Sequence, residues 1–125
     1  MILGVGLDLV EIERLEHALE RHGRRFEERV FTPREREDCR GRADRLLRLA
    51  ARFAAKEACL KALGTGWSQG LAFGQVEVVN EPGGRPVLRL SGEAARRAES
   101  LGVQRMHLSL THQPTHAAAV VILES

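Results

Sequence analysis

The stretch ADRLLRLAARFAAKEACLKALGTG, from Ala43 to Gly66, decides the fold. Its apolar side chains recur at helical spacing, at Leu46, Ala50, Phe53 and Leu60. This period predicts a long helix over 43–63, and Gly64 predicts its end. Glu57 falls on the same apolar face. Because a carboxylate facing a core is costly unless it is paired or binds a metal, the helix predicts both the centre of the fold and a candidate site.

The segment before this helix predicts one strand and two helices. Ile2 to Val10 is apolar, and its glycines at 4 and 6 indicate a buried strand that another backbone approaches closely. From Glu11 the apolar period becomes helical. Thr32-Pro33-Arg34-Glu35 combines an N-cap, a proline at the first helical position and a capping-box glutamate, so a short helix begins there.

The segment after the long helix is rich in predicted strands. Two alternating runs around the turn Glu81-Pro82-Gly83-Gly84 indicate a hairpin. Ser91 is expected to cap a helix that Gly102 ends, and two further strands follow. The order β-α-α-α-β-β-α-β-β over a chain of this length predicts one small α+β domain over residues 1–125, with a largely antiparallel sheet and one long helix.

Composition narrows the class of protein. Hydrophobic residues make up 43% of the 125 residues and charged residues 29%, which is typical of a soluble globular protein. No apolar run approaches the length needed to cross a membrane, and no secretory signal is visible. Cys39 and Cys59 lack CxxC spacing, so a cytoplasmic location is expected.

Arginine dominates the basic residues: the only two lysines are Lys56 and Lys61. A nucleic-acid-binding module is the leading non-enzyme alternative for so arginine-rich a chain. The net charge of only +2, with four phenylalanines, one tryptophan and no tyrosine for stacking on bases, disfavours it. Lysine supplies a compact point charge, whereas arginine supplies a planar fork of donors. The restriction of lysine to two positions therefore indicates a chemical role for Lys56 and Lys61.

Asp8 and Glu57 are the candidate metal ligands. Asp8 ends an apolar strand, where a helix cap or Asx turn is the alternative role; for Glu57 the alternative is a solvent-exposed pair with Lys61. Two carboxylates without a cysteine or histidine cage suit Mg²⁺, and equally Mn²⁺. Lys61 and the turn Gly64-Thr65-Gly66 are suited to a diphosphate. Trp67, directly after this turn, is expected to pack.

The chain resembles bacterial holo-acyl-carrier-protein synthases of the 4′-phosphopantetheinyl transferase superfamily over essentially its whole length. The residues that carry the resemblance are Gly6-Leu7-Asp8 with Arg14, the block Arg52–Ala62, and Gly64-Thr65-Gly66. The resemblance implies that the 4′-phosphopantetheine of coenzyme A is transferred to a serine of apo-acyl carrier protein in fatty acid biosynthesis. It also implies the phosphopantetheinyl transferase fold and a homotrimer with active sites at subunit interfaces.

The resemblance assigns roles to residues. Asp8 and Glu57 match the metal ligands, and Lys61, Gly64 and Gly66 match positions that hold coenzyme A. Ser109, Thr111 and His112 match the end of a strand that, in the family, borders the nucleotide in the site of a neighbouring subunit. One departure is His116, where relatives commonly have tyrosine. The general base stays open between Glu57 and a metal-bound water, and a hydrolase that cleaves coenzyme A with water is the second enzyme hypothesis.

Two arginine surfaces are candidates for binding anions. On the first helix, the residues expected to receive the acidic carrier protein are Arg14, Arg21, Arg24 and Arg25. Glutamates interleave with them, so a solvated helix face is the alternative. Along the long helix runs a second stripe, Arg45, Arg48, Arg52 and Lys56. It either faces water or, at Arg45 and Arg52, contacts the 3′-phosphate of coenzyme A.

Overall fold

The computed structural model describes residues 1–66, 68 and 70–125; Gln69 and Trp67, with its predicted packing role, lie outside the described residues. Helices and strands follow the predicted order, which confirms the α+β class. Their bounds are β1 Ile2–Glu11, α1 Ile12–Val30, α2 Pro33–Cys39, α3 Arg45–Leu63, β2 Val76–Asn80, β3 Pro86–Leu90, α4 Gly92–Leu101, β4 Arg105–His112 and β5 His116–Glu124. A short 3₁₀ helix, Phe73–Gln75, precedes β2.

All described strand pairs are antiparallel, but they form two sheets instead of one. A three-stranded sheet has the order β1-β5-β4, so the first strand pairs with the last. The hairpin β2-β3 forms a separate two-stranded sheet. The predicted antiparallel direction of the strands is confirmed, and the structure divides them between two sheets. Local periodicity shows which residues are strands, but pairing partners are set by contacts far apart in the chain.

Strand β1 crosses α3 at an unusually short distance, and two glycines allow it. A Cβ atom added at Gly6 would lie 1.7 Å from the carbonyl oxygen of Ala58, and one at Gly4 would lie 2.1 Å from that of Ala62. No side chain fits at either position. The expected close backbone approach is thus confirmed, and its partner is the long helix.

The caps of two helices differ from one another. At α2 the predicted capping box is present: the Glu35 N–H donates to Thr32 Oγ1 at 3.2 Å, and the Thr32 N–H donates to Glu35 Oε1 at 3.0 Å. At α4, Ser91 occupies the cap position, but its side chain makes no capping hydrogen bond. The Ala94 N–H donates instead to Gln75 Oε1 at 3.2 Å, because the Phe73–Gln75 segment lies beside the start of α4.

The outer face of the three-stranded sheet is uncovered in the single chain, and along β1 it is apolar. Val5, Leu7 and Leu9 expose 59%, 65% and 66% of their surface, whereas the opposite face of β1 packs on α3. Such a contiguous apolar face marks an interaction surface. None of the helices in the described part of the chain is long and apolar enough to cross a membrane.

Candidate functional site

The crossing of β1 over α3 brings the two predicted carboxylates to one cavity. Asp8 and Glu57 line the same cavity of about 380 Å³, together with Arg14 of α1. Phe26 and Phe53 contribute apolar walls. The side chain of Asp8 is 16% exposed, so its charge is partly removed from water. The two residues, 49 positions apart in the sequence, therefore lie at one cavity.

Lys61 joins this pair from the next turn of α3. Its ammonium donates to Asp8 Oδ1 at 3.1 Å and to the carbonyl oxygen of Leu7 at 3.0 Å. The side chain remains 55% exposed. Since an ammonium has three N–H donors, the half-exposed group retains a donor for an anionic ligand. Lys61 therefore pairs with Asp8, one of the two predicted ligands, and lies three residues before Gly64 in the chain.

The turn after α3 has the backbone that its glycines predict. Gly64 caps the helix in the left-handed region at φ 78°, and Gly66 has φ 58°. Arg97 of α4 adds a cation here: its Nε donates to the carbonyl oxygen of Leu63 at 3.1 Å. Sequence reasoning missed Arg97, because only the packing of α4 on α3 brings it beside a turn more than thirty residues earlier.

The donor set of the cavity fits a hard divalent cation. Asp8 and Glu57 supply carboxylate oxygens, and among the described residues no group of three or more His, Cys, Asp or Glu side chains could hold a metal ion. Mg²⁺ commonly uses one or two carboxylates together with waters and substrate phosphates. Two carboxylates at an open cavity are therefore suited to Mg²⁺ or Mn²⁺ shared with a phosphorylated ligand.

Two members of the basic stripe on α3, Arg52 and Lys56, do not face water, which was one of the two alternatives for this stripe. Lys56 is fully buried and Arg52 is only 3% exposed, because α2 and the Phe73–Gln75 segment cover this side of the helix. Arg52 Nε and Nη2 have no hydrogen-bond partner in the described part of the chain, and the nearest carboxylate, of Asp38, is 4.0 Å away. Arg45 pairs with Glu27 and lines a different cavity from Asp8.

The arginines of α1 form an exposed basic surface. Within the described residues, no carboxylate lies within ion-pair distance of Arg14, Arg21 or Arg25. Arg24 differs, since it pairs with Glu28 at 2.8 Å. A kink at Gly23, with φ 59°, interrupts the helix between Arg21 and Arg25. Arg14 also lines the Asp8–Glu57 cavity, so the basic surface runs up to the candidate site.

The three predicted nucleotide-bordering residues lie on β4, away from the cavity of their own chain. Ser109 and Thr111 align through β5 with Leu7 and Leu9, on the outer face of the sheet. Asp8 lies on the inner face. His112 ends β4 and is exposed. The departure from the family pattern, His116, begins β5, where its Nδ1 lies 2.9 Å from Thr115 Oγ1.

Comparisons with known proteins show the family of this chain. The family model described as "4'-phosphopantetheinyl transferase superfamily" matches residues 4–121. A holo-[acyl-carrier-protein] synthase of Methylobacterium radiotolerans is 53% identical and aligns over 100% of this chain and 95% of its own length. The crystal structure of the synthase from Neisseria meningitidis superposes with a TM-score of 0.91 at 30% identity, covering 100% of both chains.

A further solved structure was determined with a ligand. The synthase of Bacillus anthracis, in complex with coenzyme A (3',5'-ADP), superposes with a TM-score of 0.81 at 39% identity, over 100% of this chain and 98% of that one. The match thus extends along the whole chain in both sequence and fold. The chain belongs to the holo-acyl-carrier-protein synthases of the 4′-phosphopantetheinyl transferase superfamily.

Proposed function

We infer that this chain is a phosphopantetheinyl transferase: it transfers the 4′-phosphopantetheine group of coenzyme A to a serine of apo-acyl carrier protein. The products are holo-acyl carrier protein and adenosine 3′,5′-bisphosphate, and the activity serves fatty acid biosynthesis. The observation that carries this inference is one cavity lined by Asp8, Glu57 and Arg14, with Lys61 beside it, in a chain of this family.

The residues around the cavity suggest a division of labour in the transfer. Asp8 and Glu57 would hold Mg²⁺, or Mn²⁺, which when bound neutralises phosphate charge as a Lewis acid. Lys61 would donate to the diphosphate while it stays paired with Asp8. The N–H groups of the Gly64–Gly66 turn would support the diphosphate and the pantetheine arm. Phosphoryl transfer depends chiefly on positioning and charge neutralisation, which these groups supply.

The acceptor serine must lose a proton as its oxygen attacks the phosphorus that bears pantetheine. The bond from this phosphorus to the bridging oxygen of the diphosphate then breaks, and adenosine 3′,5′-bisphosphate leaves. Glu57, at the cavity wall, is suited to take the proton, and a water molecule is the alternative. Arg14, which lines the same cavity, would stabilise the negative charge on the approaching partner or on the phosphate.

The unpartnered donors of Arg52 support a role in binding coenzyme A. Buried guanidinium N–H groups without hydrogen-bond acceptors, here those of Nε and Nη2, are costly, and a phosphate would supply the acceptors. Arg45 offers a second cation two turns earlier on α3, although Glu27 already binds it. We propose that Arg52, more than Arg45, serves the 3′-phosphate.

The positions of Ser109, Thr111 and His112 favour a homotrimer with shared sites. Ser109 and Thr111 lie on the outer sheet face beside the exposed Leu7 and Leu9, opposite Asp8. They would therefore reach the Asp8–Glu57 cavity of a neighbouring chain and not their own. Burying the apolar face between subunits would supply the driving force for assembly. Sedimentation equilibrium that gave the mass of a single chain would contradict this assembly.

A direct assay tests the activity. The protein is incubated with coenzyme A and Mg²⁺, with and without apo-acyl carrier protein, and the masses of the products are measured by mass spectrometry. We expect the carrier protein to gain one phosphopantetheine arm, with adenosine 3′,5′-bisphosphate released only when the carrier is present. Release of the nucleotide without the carrier, and no mass gain with it, would identify a hydrolase instead.

The basic surface of α1 should receive the acidic carrier protein, and charge reversal tests this. We expect the double substitution Arg14→Glu and Arg21→Glu to raise the KM for acyl carrier protein about tenfold or more, because like charges would then face each other. The KM for coenzyme A should change little. Arg85→Glu, an exposed arginine in the β2–β3 turn, is the matched control and should behave as wild type. Equal effects on both KM values would refute the assignment.

Two buried thiols support a reducing compartment, and we propose the cytoplasm. Cys39 and Cys59 are both free and buried. Burial raises the pKa of the Cys59 thiol to about 12, and burial likewise raises the pKa of Cys39. These thiols stay protonated near neutral pH and take no part in the transfer.

A further inference from the structure

Lys56 is fully buried, and all three donors of its ammonium are used. Nζ lies 2.6 Å from Glu35 Oε1, and it donates to the carbonyl oxygens of Phe73 at 3.2 Å and Val76 at 2.5 Å. Three donors thus meet three acceptors. Arginine would bring five donors in a planar fork, two of which would find no partner here. This explains why a chain so rich in arginine has lysine at position 56.

The partner carboxylate is equally satisfied. Glu35 Oε1 accepts from the Thr32 N–H, and Oε2 accepts from the Val78 N–H at 2.9 Å. Both side chains of the Glu35–Lys56 pair are 0% exposed. Burial lowers the pKa of Lys56, and the charge of Glu35 opposes that shift. A buried ion pair contributes little net stability compared with apolar residues of similar volume, so a gain in stability does not by itself account for it.

The pair fixes the segment that enters β2. The Lys56 ammonium donates to the carbonyl oxygens of Phe73, the first residue of the 3₁₀ helix, and of Val76, the residue after it. Glu35 accepts from the N–H of Val78, two residues further along β2. The Phe73 ring stacks on Phe53, with ring centroids 5.4 Å apart and an interplanar angle of 23°. Phe53 in turn lines the cavity of Asp8 and Glu57. A continuous set of contacts therefore runs from the buried pair to the cavity wall.

We propose that Lys56 is a positioning residue for phosphopantetheine transfer. Through the backbone of Phe73 it holds the stacked rings of Phe73 and Phe53, and these rings set the wall against which coenzyme A and the attacking serine are aligned. The inference rests on the proposed function, because it assigns the wall to that reaction. Lys56 itself touches neither the carboxylates nor the reacting atoms.

A double-mutant cycle tests the proposal with K56M, F73A and K56M/F73A. For each variant, kcat and the KM for coenzyme A are measured, and kcat is calculated per folded molecule. Urea unfolding gives the folded fraction and the stability of each variant. We expect K56M to lower kcat/KM roughly tenfold to a hundredfold, the scale of a 1 Å misplacement of reacting groups. F73A should have a similar effect. The double variant should lose no more than the worse single variant, because both changes act through one ring.

Thr32→Ala is the matched control for stability. It removes the hydroxyl that accepts from the Glu35 N–H and donates to Glu77, but it keeps the Thr32 N–H that donates to Glu35 Oε1 and leaves the contacts of Lys56 with Glu35 and Phe73 in place. We expect it to lower the urea midpoint and to keep wild-type kcat/KM. If K56M does not fold, because Glu35 is left as an unpaired buried charge, the neutral pair E35Q/K56M carries the same prediction.

Two results would overturn the proposal. Wild-type kinetics per folded molecule in K56M or E35Q/K56M would make the pair a stabilising feature only. Multiplicative losses of kcat/KM in K56M/F73A would show that Lys56 does not act through Phe73. Failure of the proposed function looks different, because wild type and Thr32→Ala would then also leave the carrier protein unmodified.

Discussion

Glu57→Gln should lower kcat for phosphopantetheine transfer by roughly 10²- to 10⁴-fold, the scale on which a positioned acid–base group acts. Glutamine keeps the size of the side chain and a similar helix propensity, so α3 should persist. It removes one of the three acidic residues that line the cavity, Asp8, Glu11 and Glu57. Asp8→Asn is a less clean test, because Asp8 also pairs with Lys61.

The measurement is steady-state turnover over a titration of Mg²⁺ and of Mn²⁺, with circular dichroism as the check on folding. We expect the variant to need far more metal ion for its residual activity. Glu81→Gln, the same change at an exposed position of the β2–β3 turn, serves as the control and should retain wild-type turnover. Near-normal turnover of Glu57→Gln in Mg²⁺ would remove Glu57 from the metal site.

Gly6→Ala should be among the most destabilising single-methyl additions in this chain. The new Cβ would lie 1.7 Å from the Ala58 carbonyl oxygen and 2.9 Å from the Ala62 nitrogen, both backbone atoms of α3. Neither can move without bending the helix, so β1 must shift away. Overpacking of this kind costs about 1–3 kcal/mol and occasionally more, and we expect the upper end. Activity should fall as well, since Asp8 is two residues further along β1.

Urea unfolding measures this loss of stability. All variants are compared at one chain concentration, because the stability of associated subunits depends on that concentration. Gly83→Ala is the matched control: a Cβ there meets no atom within 4 Å, so its free energy of unfolding should stay within about 0.5 kcal/mol of wild type. A Gly6→Ala protein as stable as wild type would mean that β1 and α3 are not held at this distance.

The sequence predicted most of the secondary structure because its local signals agree with one another. The capping box at Thr32 and Glu35, the glycine at position 64 and the alternation in the β2–β3 hairpin each depend on neighbours within a few residues. Such signals can be recognised in the sequence without knowledge of the tertiary structure. Ser91 is the exception, since Gln75, which is distant in sequence, provides the hydrogen bond that a cap would supply.

The candidate site was predicted only in part. Asp8, Glu57 and Lys61 could be named because acidic and basic residues within apolar segments are costly unless they have partners. Which members of the stripe from Arg45 to Lys56 are buried could not be predicted, since helical period alone does not show which side of a helix is covered by other elements. Arg97 and the Phe53–Phe73 stack carried no local signal at all.

The sequence by itself determined the elements, the two glycines that must face a backbone and the residue types of a candidate site for a metal ion and a phosphate. Only the tertiary structure decided that β1 crosses α3 so as to join Asp8 to Lys61, and that Ser109 and Thr111 lie on the opposite sheet face. It also decided which of the two lysines is buried. The physical reason is that periodicity and capping are local, whereas pairing, burial and charge partners depend on contacts between residues far apart in the chain.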